Sequence, residues 1–262
     1  MSDYETIKLD YDRGIGTLTL DRPDSLNALN GTLSSEIIAG LEELETYNDD
    51  ADGVALRAVV IEGAGDAAFC AGADIGGFSD DSAGASSGRR MHEFVRTFPT
   101  PIIAKIDGYC LGGGFELALA ADFRFASESS TFGLPEVNLG LFPGAGGVQY
   151  VSKLAGPGLA KEMAMTGDHY PPERMADADI VNAVHPDDEL DAAVDEFATT
   201  LSQKPPLSLQ TIKESAEMAT QTGLAEGITH DASMFAQLLN TEDFREGAAA
   251  FQEDRDPEFH GR

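Results

Sequence analysis

Apolar positions divide the chain into two textures. In the first half, short β-branched runs alternate with helical stretches. Thr6-Ile7-Lys8-Leu9-Asp10-Tyr11 alternates apolar and polar residues, which predicts a strand, and Gly14 to Leu20 predicts its hairpin partner. Arg22-Pro23-Asp24-Ser25 marks a turn. From about Asn30 to Tyr47, Leu33, Ile37, Leu41 and Leu44 recur at helical spacing. Ala58 to Glu62, apolar up to its last residue, and Ile102 to Ile106, apolar but for Lys105, are of the buried-strand type, and Asp122 to Ala126 predicts a further strand. Gly76 to Gly88 is Gly, Ser, Asp and Ala with a single Phe, which predicts a flexible loop. A helix is predicted from Arg90 to Phe98, with Met91, Phe94, Val95 and Phe98 on one face and Pro99 and Pro101 ending it. A short helix is predicted from Phe115 to Ala121.

After residue 157 strands become rare. Helices are predicted near 158–166, 172–178, 188–202, 208–220, 224–240 and 242–252. The pattern is an α/β core, taken as 1–195, followed by a helical region over 196–262.

Composition narrows the class. With 262 residues, 42% of them apolar, the chain is long enough to bury a substantial core. Its 46 acidic and 17 basic residues give a net charge of −29, which repels nucleic acid and anionic membranes. The acidic residues are dispersed, which suggests a hydrated surface suited to high salt, where self-repulsion is screened. Met1-Ser2-Asp3-Tyr4-Glu5 lacks the features of a signal peptide, and no apolar run approaches a membrane span. Cys70 and Cys110 make no disulfide framework and read as buried thiols, which fits a reducing cytoplasm.

Three segments carry candidate chemistry. Leu111-Gly112-Gly113-Gly114-Phe115-Glu116 follows an apolar run and opens a helix. Glycines there let the backbone approach a ligand, and the helix start favours negative charge. Phe132-Gly133-Leu134-Pro135-Glu136 presents a second carboxylate from a turn. Two carboxylates in one site can take a proton from a water and give one to a substrate. Phe69-Cys70-Ala71-Gly72-Ala73-Asp74 could supply a backbone N–H to an oxyanion. Gly144-Ala145-Gly146-Gly147 reads as shaping the turn behind Glu136 and starting the next helix. The five histidines form no HxxxH or HExxH pair, and no GxSxG is present, so metal and hydrolase-elbow chemistry are unsupported.

The ordered set of Arg22-Pro23, Asn27-Ala28-Leu29, Phe69 to Ile75, Leu111 to Glu116, Phe132 to Glu136, Phe142 to Gly147, Thr166-Gly167-Asp168 and Arg245-Glu246-Gly247 resembles the crotonase (enoyl-CoA hydratase/isomerase) superfamily over nearly the whole chain. The resemblance implies a spiral of ββα turns with C-terminal helices that build a homotrimer or homohexamer. It implies an acyl-CoA thioester substrate, with coenzyme A part of the substrate and no separate cofactor or metal. The oxyanion hole falls on the N–H groups of Ala73 and Gly113, and the two hydratase carboxylates fall on Glu116 and Glu136. The implied substrate contacts are Arg22, Ser25, Ala28, Ala71, Asp74, Ile75, Gly76, Pro135 and Gly144. Where the family often carries lysine or arginine for the CoA phosphates, this chain has Asp24, Gly76 and the acidic stretch Gln252 to Asp256. The implied reaction is hydration of a 2-enoyl-CoA to a 3-hydroxyacyl-CoA. The alternatives are a Δ3-Δ2 enoyl-CoA isomerase or another acyl-CoA lyase of the superfamily. A non-catalytic nucleic-acid-binding role is opposed by the charge.

Overall fold

The computed structural model describes residues 2–49, 51–74, 76 and 82–262, with backbone only for 82–87. A hairpin opens the chain: β1 (Ile7–Asp12) and β2 (Ile15–Leu20) pair antiparallel through a tight turn at Arg13-Gly14. Both turn residues have positive φ, the twist that suits a two-residue connection. Helix α1 (Gly31–Glu45) follows, capped by the Asn30 side chain, which accepts from Leu33 N at 2.8 Å. Leu33, Ile37, Leu41 and Leu44 are its buried face, as their spacing predicts.

Three ββα turns then wind in sequence. In the first, β3 (Ala58–Gly63) is followed by β4 (Ala68–Cys70) and α2 (Ser82–Thr97). In the second, β5 (Ile102–Ile106) is followed by β6 (Tyr109–Leu111) and α3 (Gly113–Ala120). In the third, β7 (Phe123–Ser127) is followed by β8 (Thr131–Gly133) and α4 (Gly147–Ala155). The first strand of each turn joins one sheet and the second strand another. The larger sheet also gains β10 (Ala183–His185), giving the order β1-β2-β3-β5-β7-β10. The smaller sheet gains β9 (His169–Tyr170), giving β4-β6-β8-β9. Within the spiral all pairings are parallel.

The remaining helices are α5 (Pro157–Thr166), α6 (Pro172–Asp177), α7 (Leu190–Ser202), α8 (Pro206–Ala219), α9 (Leu224–Leu238) and α10 (Glu242–Glu253). One face of the larger sheet packs on α7 through Ala58, Val60, Ile103, Phe125, Val194, Ala198 and Leu201. The other face closes on the smaller sheet and α1 to α3 around Leu18, Ile37, Ile61, Phe69, Phe115 and Phe132. The 195/196 boundary falls inside α7, whose Val194 and Ala198 pack on the same sheet. Beyond it, Lys213 on α8 is tied to the core by Asp122, with Nζ to Oδ2 at 2.7 Å.

The loop expected over 76–88 is replaced from Ser82 onward by helix α2. Serine and glycine weaken that stretch as an isolated helix. Buried Met91 and Val95, with buried Phe98 just past its end, anchor the same helix to the core, and packing outweighs propensity. Ile75 and residues 77–81 lie outside the described residues.

Candidate active site

Strands β4, β6 and β8 are parallel neighbours, and each of the three chemical segments leaves the carboxyl end of one of them. Cys70 pairs with Cys110, and Leu111 with Gly133. The segments 71–74, 112–116 and 134–136 therefore emerge side by side along one sheet edge. Ligands of open α/β sheets bind at such carboxyl edges.

Two glycines make the close approach possible. A Cβ on Gly114 would lie 2.2 Å from Cys70 O, so only glycine lets α3 sit against β4. Gly112 has φ 50°, and a Cβ there would stand 3.1 Å from Glu136 Oε1. The second carboxylate thus lies directly over the first glycine of the triplet.

The two proposed oxyanion donors come together. Leu29 N donates to Gly72 O and Asp74 N to Leu29 O, both at 2.8 Å. That parallel bridge holds residues 72 and 74 against Leu29 and turns the N–H of Ala73, between them, to the opposite side. There it meets the start of α3: a Cβ on Gly113 would be 3.8 Å from Ala73 N. Gly113 is the first residue of α3, where N–H groups have no partner within the helix. Both segments can therefore aim N–H groups at one point.

Glu116 lies in the first turn of α3, a helix buried on every side, and is itself 3% exposed. Its Oε1 accepts from Ala145 N and Gly147 N, each at 2.8 Å. The 144–147 segment does start the next helix, α4. Its N–H groups face Glu116 rather than merely backing Glu136. At the other end of α3, the buried Arg124 donates to Ala118 O at 3.1 Å and Ala121 O at 2.7 Å, satisfying its last carbonyls.

Glu136 is half-buried, and its Oε2 has no hydrogen-bond partner among the described residues. Burial pushes its carboxyl up to about 7, and the charge of Glu116 pushes the same way. The sequence places Glu136 on a turn, and the tertiary fold half-encloses it there. Burial likewise lifts the Cys70 thiol to about 12 and raises Cys110, so both behave as inert buried thiols.

The other implied contacts sit as follows. Ala28, Ala71, Asp74 and Pro135 are half-buried, while Ser25, Gly76 and Gly144 are exposed beside the site segments. The Arg22 guanidinium is already engaged: Nη2 pairs with Asp74 Oδ2 at 2.8 Å and Nη1 donates to Ala28 O. Arg22 thus clasps the two loops that carry the implied contacts. Asn27 and Leu29 belong to a motif the sequence offers, but their roles emerge only here: the Asn27 amide stitches Ala64 O and Ala68 O, and Leu29 bridges to Ala73. His92, which reaches Gly113, is marked by no local pattern. Among the described residues, no group of three His, Cys, Asp or Glu is placed to hold a metal, and no helix is long and apolar enough to cross a membrane.

The family model for enoyl-CoA hydratase/isomerase matches residues 10–262. The chain belongs to the enoyl-CoA hydratase/isomerase family. It is 36% identical to a probable enoyl-CoA hydratase of Mycobacterium bovis, covering 99% of each chain. It is 34% identical to a crotonyl-CoA hydratase of Syntrophomonas wolfei over 98% of each. The 2,3-dehydroadipyl-CoA hydratase of Escherichia coli is 35% identical, with 94% of each chain covered. Among solved structures, an enoyl-CoA hydratase of Bacillus anthracis superposes with TM-score 0.91 at 33% identity, over 98% of this chain and 100% of that one. The crotonase fold expected from the motifs is therefore the fold found, and a hydratase-type enzyme is supported at this level of identity.

Proposed function

We propose that this family member is an enoyl-CoA hydratase, adding water reversibly across the 2,3 double bond of a 2-enoyl-CoA. The observation that carries the reading is the pairing of Glu116 and Glu136 beside the Ala73 and Gly113 donors. Two carboxyl groups suit hydration, which needs one proton taken from water and one delivered to C2. A 1,3-proton shift needs only one group that shuttles.

In this reading the thioester carbonyl lies between the N–H groups of Ala73 and Gly113. Glu116, held through Oε1 by Ala145 and Gly147, accepts a proton from water as its oxygen bonds to C3. The electrons of the double bond move toward the carbonyl oxygen, and the two N–H groups stabilise the enolate. Losing one such donor typically costs ~3 kcal/mol of transition-state stabilisation. Glu136, with its carboxyl pushed up to about 7, gives its proton to C2. A proton passing from Glu116 to Glu136 restores the resting state.

The substrate on this reading is an acyl-CoA, and no separate cofactor is used. With Arg22 engaged by Asp74, the exposed Arg89 and Arg90 on α2 join backbone groups near Ser25 and Ala28 as candidates for the CoA phosphates. The protein works as a homotrimer or homohexamer; exposed apolar side chains such as Phe142, Met165, Leu224, Phe235 and Phe251 support assembly. Two buried free thiols and the acidic surface fit a salt-rich, reducing cytoplasm. The test is loss of the conjugated-thioester absorbance of crotonyl-CoA in concentrated KCl. No absorbance loss by folded enzyme overturns the reading.

A further inference from the structure

His92 on α2 is 4% exposed, and both of its ring nitrogens face backbone carbonyls. Nδ1 lies 2.7 Å from Gly88 O, one turn back on its own helix. Nε2 lies 3.0 Å from Gly113 O, on a different element. A neutral ring has one N–H to donate, so it can serve only one of these carbonyls. The tautomer protonated at Nε2 serves Gly113, and the one protonated at Nδ1 serves Gly88 instead.

Gly113 bears the N–H assigned above to the oxyanion hole. Having no side chain, it is held only through its backbone and whatever packs on it. On one side Leu29 stands close, where a Cβ on Gly113 would meet Leu29 Cδ1 at 3.3 Å. Leu29 also carries the bridge that turns Ala73 N–H toward the site. On the other side the carbonyl is met by His92. Glycine is the residue with the most backbone freedom to lose, and a hydrogen bond to its carbonyl limits rotation about its ψ. Donor placement matters because an oxyanion hole acts through preorganisation, and displacement of a donor forfeits its effect.

We propose that His92 is a positioning residue for the oxyanion hole: by donating Nε2–H to Gly113 O it fixes the Gly113–Gly114 peptide, restrains across the Gly113 Cα the adjoining Gly112–Gly113 peptide that carries the donor N–H, and so couples helix α2 to the Ala73–Gly113 donor pair. The proposal rests on the hydratase reading. The role belongs to the Gly113 contact and not to the Gly88 contact, which lies within α2.

The two contacts can be separated by amide side chains. In His92→Gln the longer amide would place an N–H near the Nε2 position and reach Gly113. In His92→Asn the amide is too short for that and serves only the Gly88 side. The variants are therefore His92→Gln, His92→Asn and His92→Phe, with thermal melts in concentrated salt to establish folding. Two readouts are taken. One is crotonyl-CoA hydration, resolved into kcat and KM. The other is the absorption of a push–pull aryl enoyl thioester, 4-(dimethylamino)cinnamoyl-CoA, which moves to longer wavelength when its carbonyl is polarised.

Wild type should hydrate crotonyl-CoA and shift the chromophore; failure of both refutes the hydratase reading itself. With wild type active, His92→Asn and His92→Phe should lose about 10- to 100-fold in kcat with little change in KM, because a displaced donor weakens the transition state more than the ground state. Their chromophore shift should shrink. His92→Gln should recover most of both. Equal behaviour of the folded glutamine and asparagine variants, whether both active or both impaired, overturns the proposal. If His92→Phe does not fold, the two amide variants still decide it.

Discussion

Glu116 has two roles that a pair of substitutions can separate. Its Oε1 accepts from Ala145 N and Gly147 N at 2.8 Å, and Gly147 is buried while Ala145 is half-buried. Glu116→Ala removes the side chain that satisfies those two N–H groups. An unpaired buried N–H costs ~1–3 kcal/mol, so the pair costs about 2–4 kcal/mol once the partial exposure of Ala145 is discounted. For a chain of this length that lowers Tm by roughly 4–8 °C. Glu116→Gln keeps an oxygen that can accept both bonds and should stay within about 1 kcal/mol of wild type. Its turnover should still fall by at least about 100-fold, the low end of a general acid–base contribution. Thermal melts and crotonyl-CoA assays in the same concentrated salt give both numbers. If Glu116→Ala melts with wild type, the carboxylate is not the strut that joins α3 to the 144–147 segment. If Glu116→Gln hydrates at full rate, Glu116 is not the base.

The remaining expectations concern Glu136, salt and assembly. Glu136→Gln should also cut turnover by at least about 100-fold while leaving the fold intact. If Glu136 must be protonated to donate to C2, kcat/KM should fall as pH rises through about 7, where burial has pushed its carboxyl. A carboxyl raised on folding favours the folded state while protonated, and that contribution is lost as pH rises from its ordinary value near 4.5 to about 7. Wild type should therefore lose stability relative to Glu136→Gln across that window, and parallel melts at each pH would expose a change of the opposite sign. Between roughly 0.1 M and 2 M KCl the Michaelis constant for crotonyl-CoA should fall or stay flat and Tm should rise, because screening weakens the repulsion between two acidic partners. A protein fully folded at low salt, whose Michaelis constant climbs steeply with KCl, contradicts that expectation. Light scattering in concentrated salt should give a trimer or hexamer mass, and a monomer mass refutes the assembly.

The elements that periodicity could reach were legible. Helix α1 shows its buried stripe of Leu33, Ile37, Leu41 and Leu44 directly in the spacing, and β3 and β5 show runs that are apolar apart from Glu62 and Lys105. The smaller sheet did not show itself. Strands β4, β6 and β8 are three residues each, too short to display alternation. Yet their parallel neighbourhood is what brings the three chemical segments to one edge. Glu116 and Glu136 could be picked out by their glycine and proline context, but the burial of Glu136 is a tertiary fact. The same holds for His92: its partner Gly113 is 21 residues away, and nothing in the local sequence announces it. Arg22 is implied as a substrate contact by its motif, but its engagement by Asp74 depends on two loops 52 residues apart meeting.

The central claim is that water is added, and isotope incorporation tests it most directly. Crotonyl-CoA is incubated with the enzyme in water enriched in oxygen-18, in concentrated KCl, and the product is read by mass spectrometry. The expected product is 3-hydroxybutyryl-CoA carrying one oxygen-18 at C3, with formation suppressed in both Glu116→Gln and Glu136→Gln. Conversion of 3-enoyl to 2-enoyl thioester by folded wild type, with no oxygen-18 in any product, would contradict the claim.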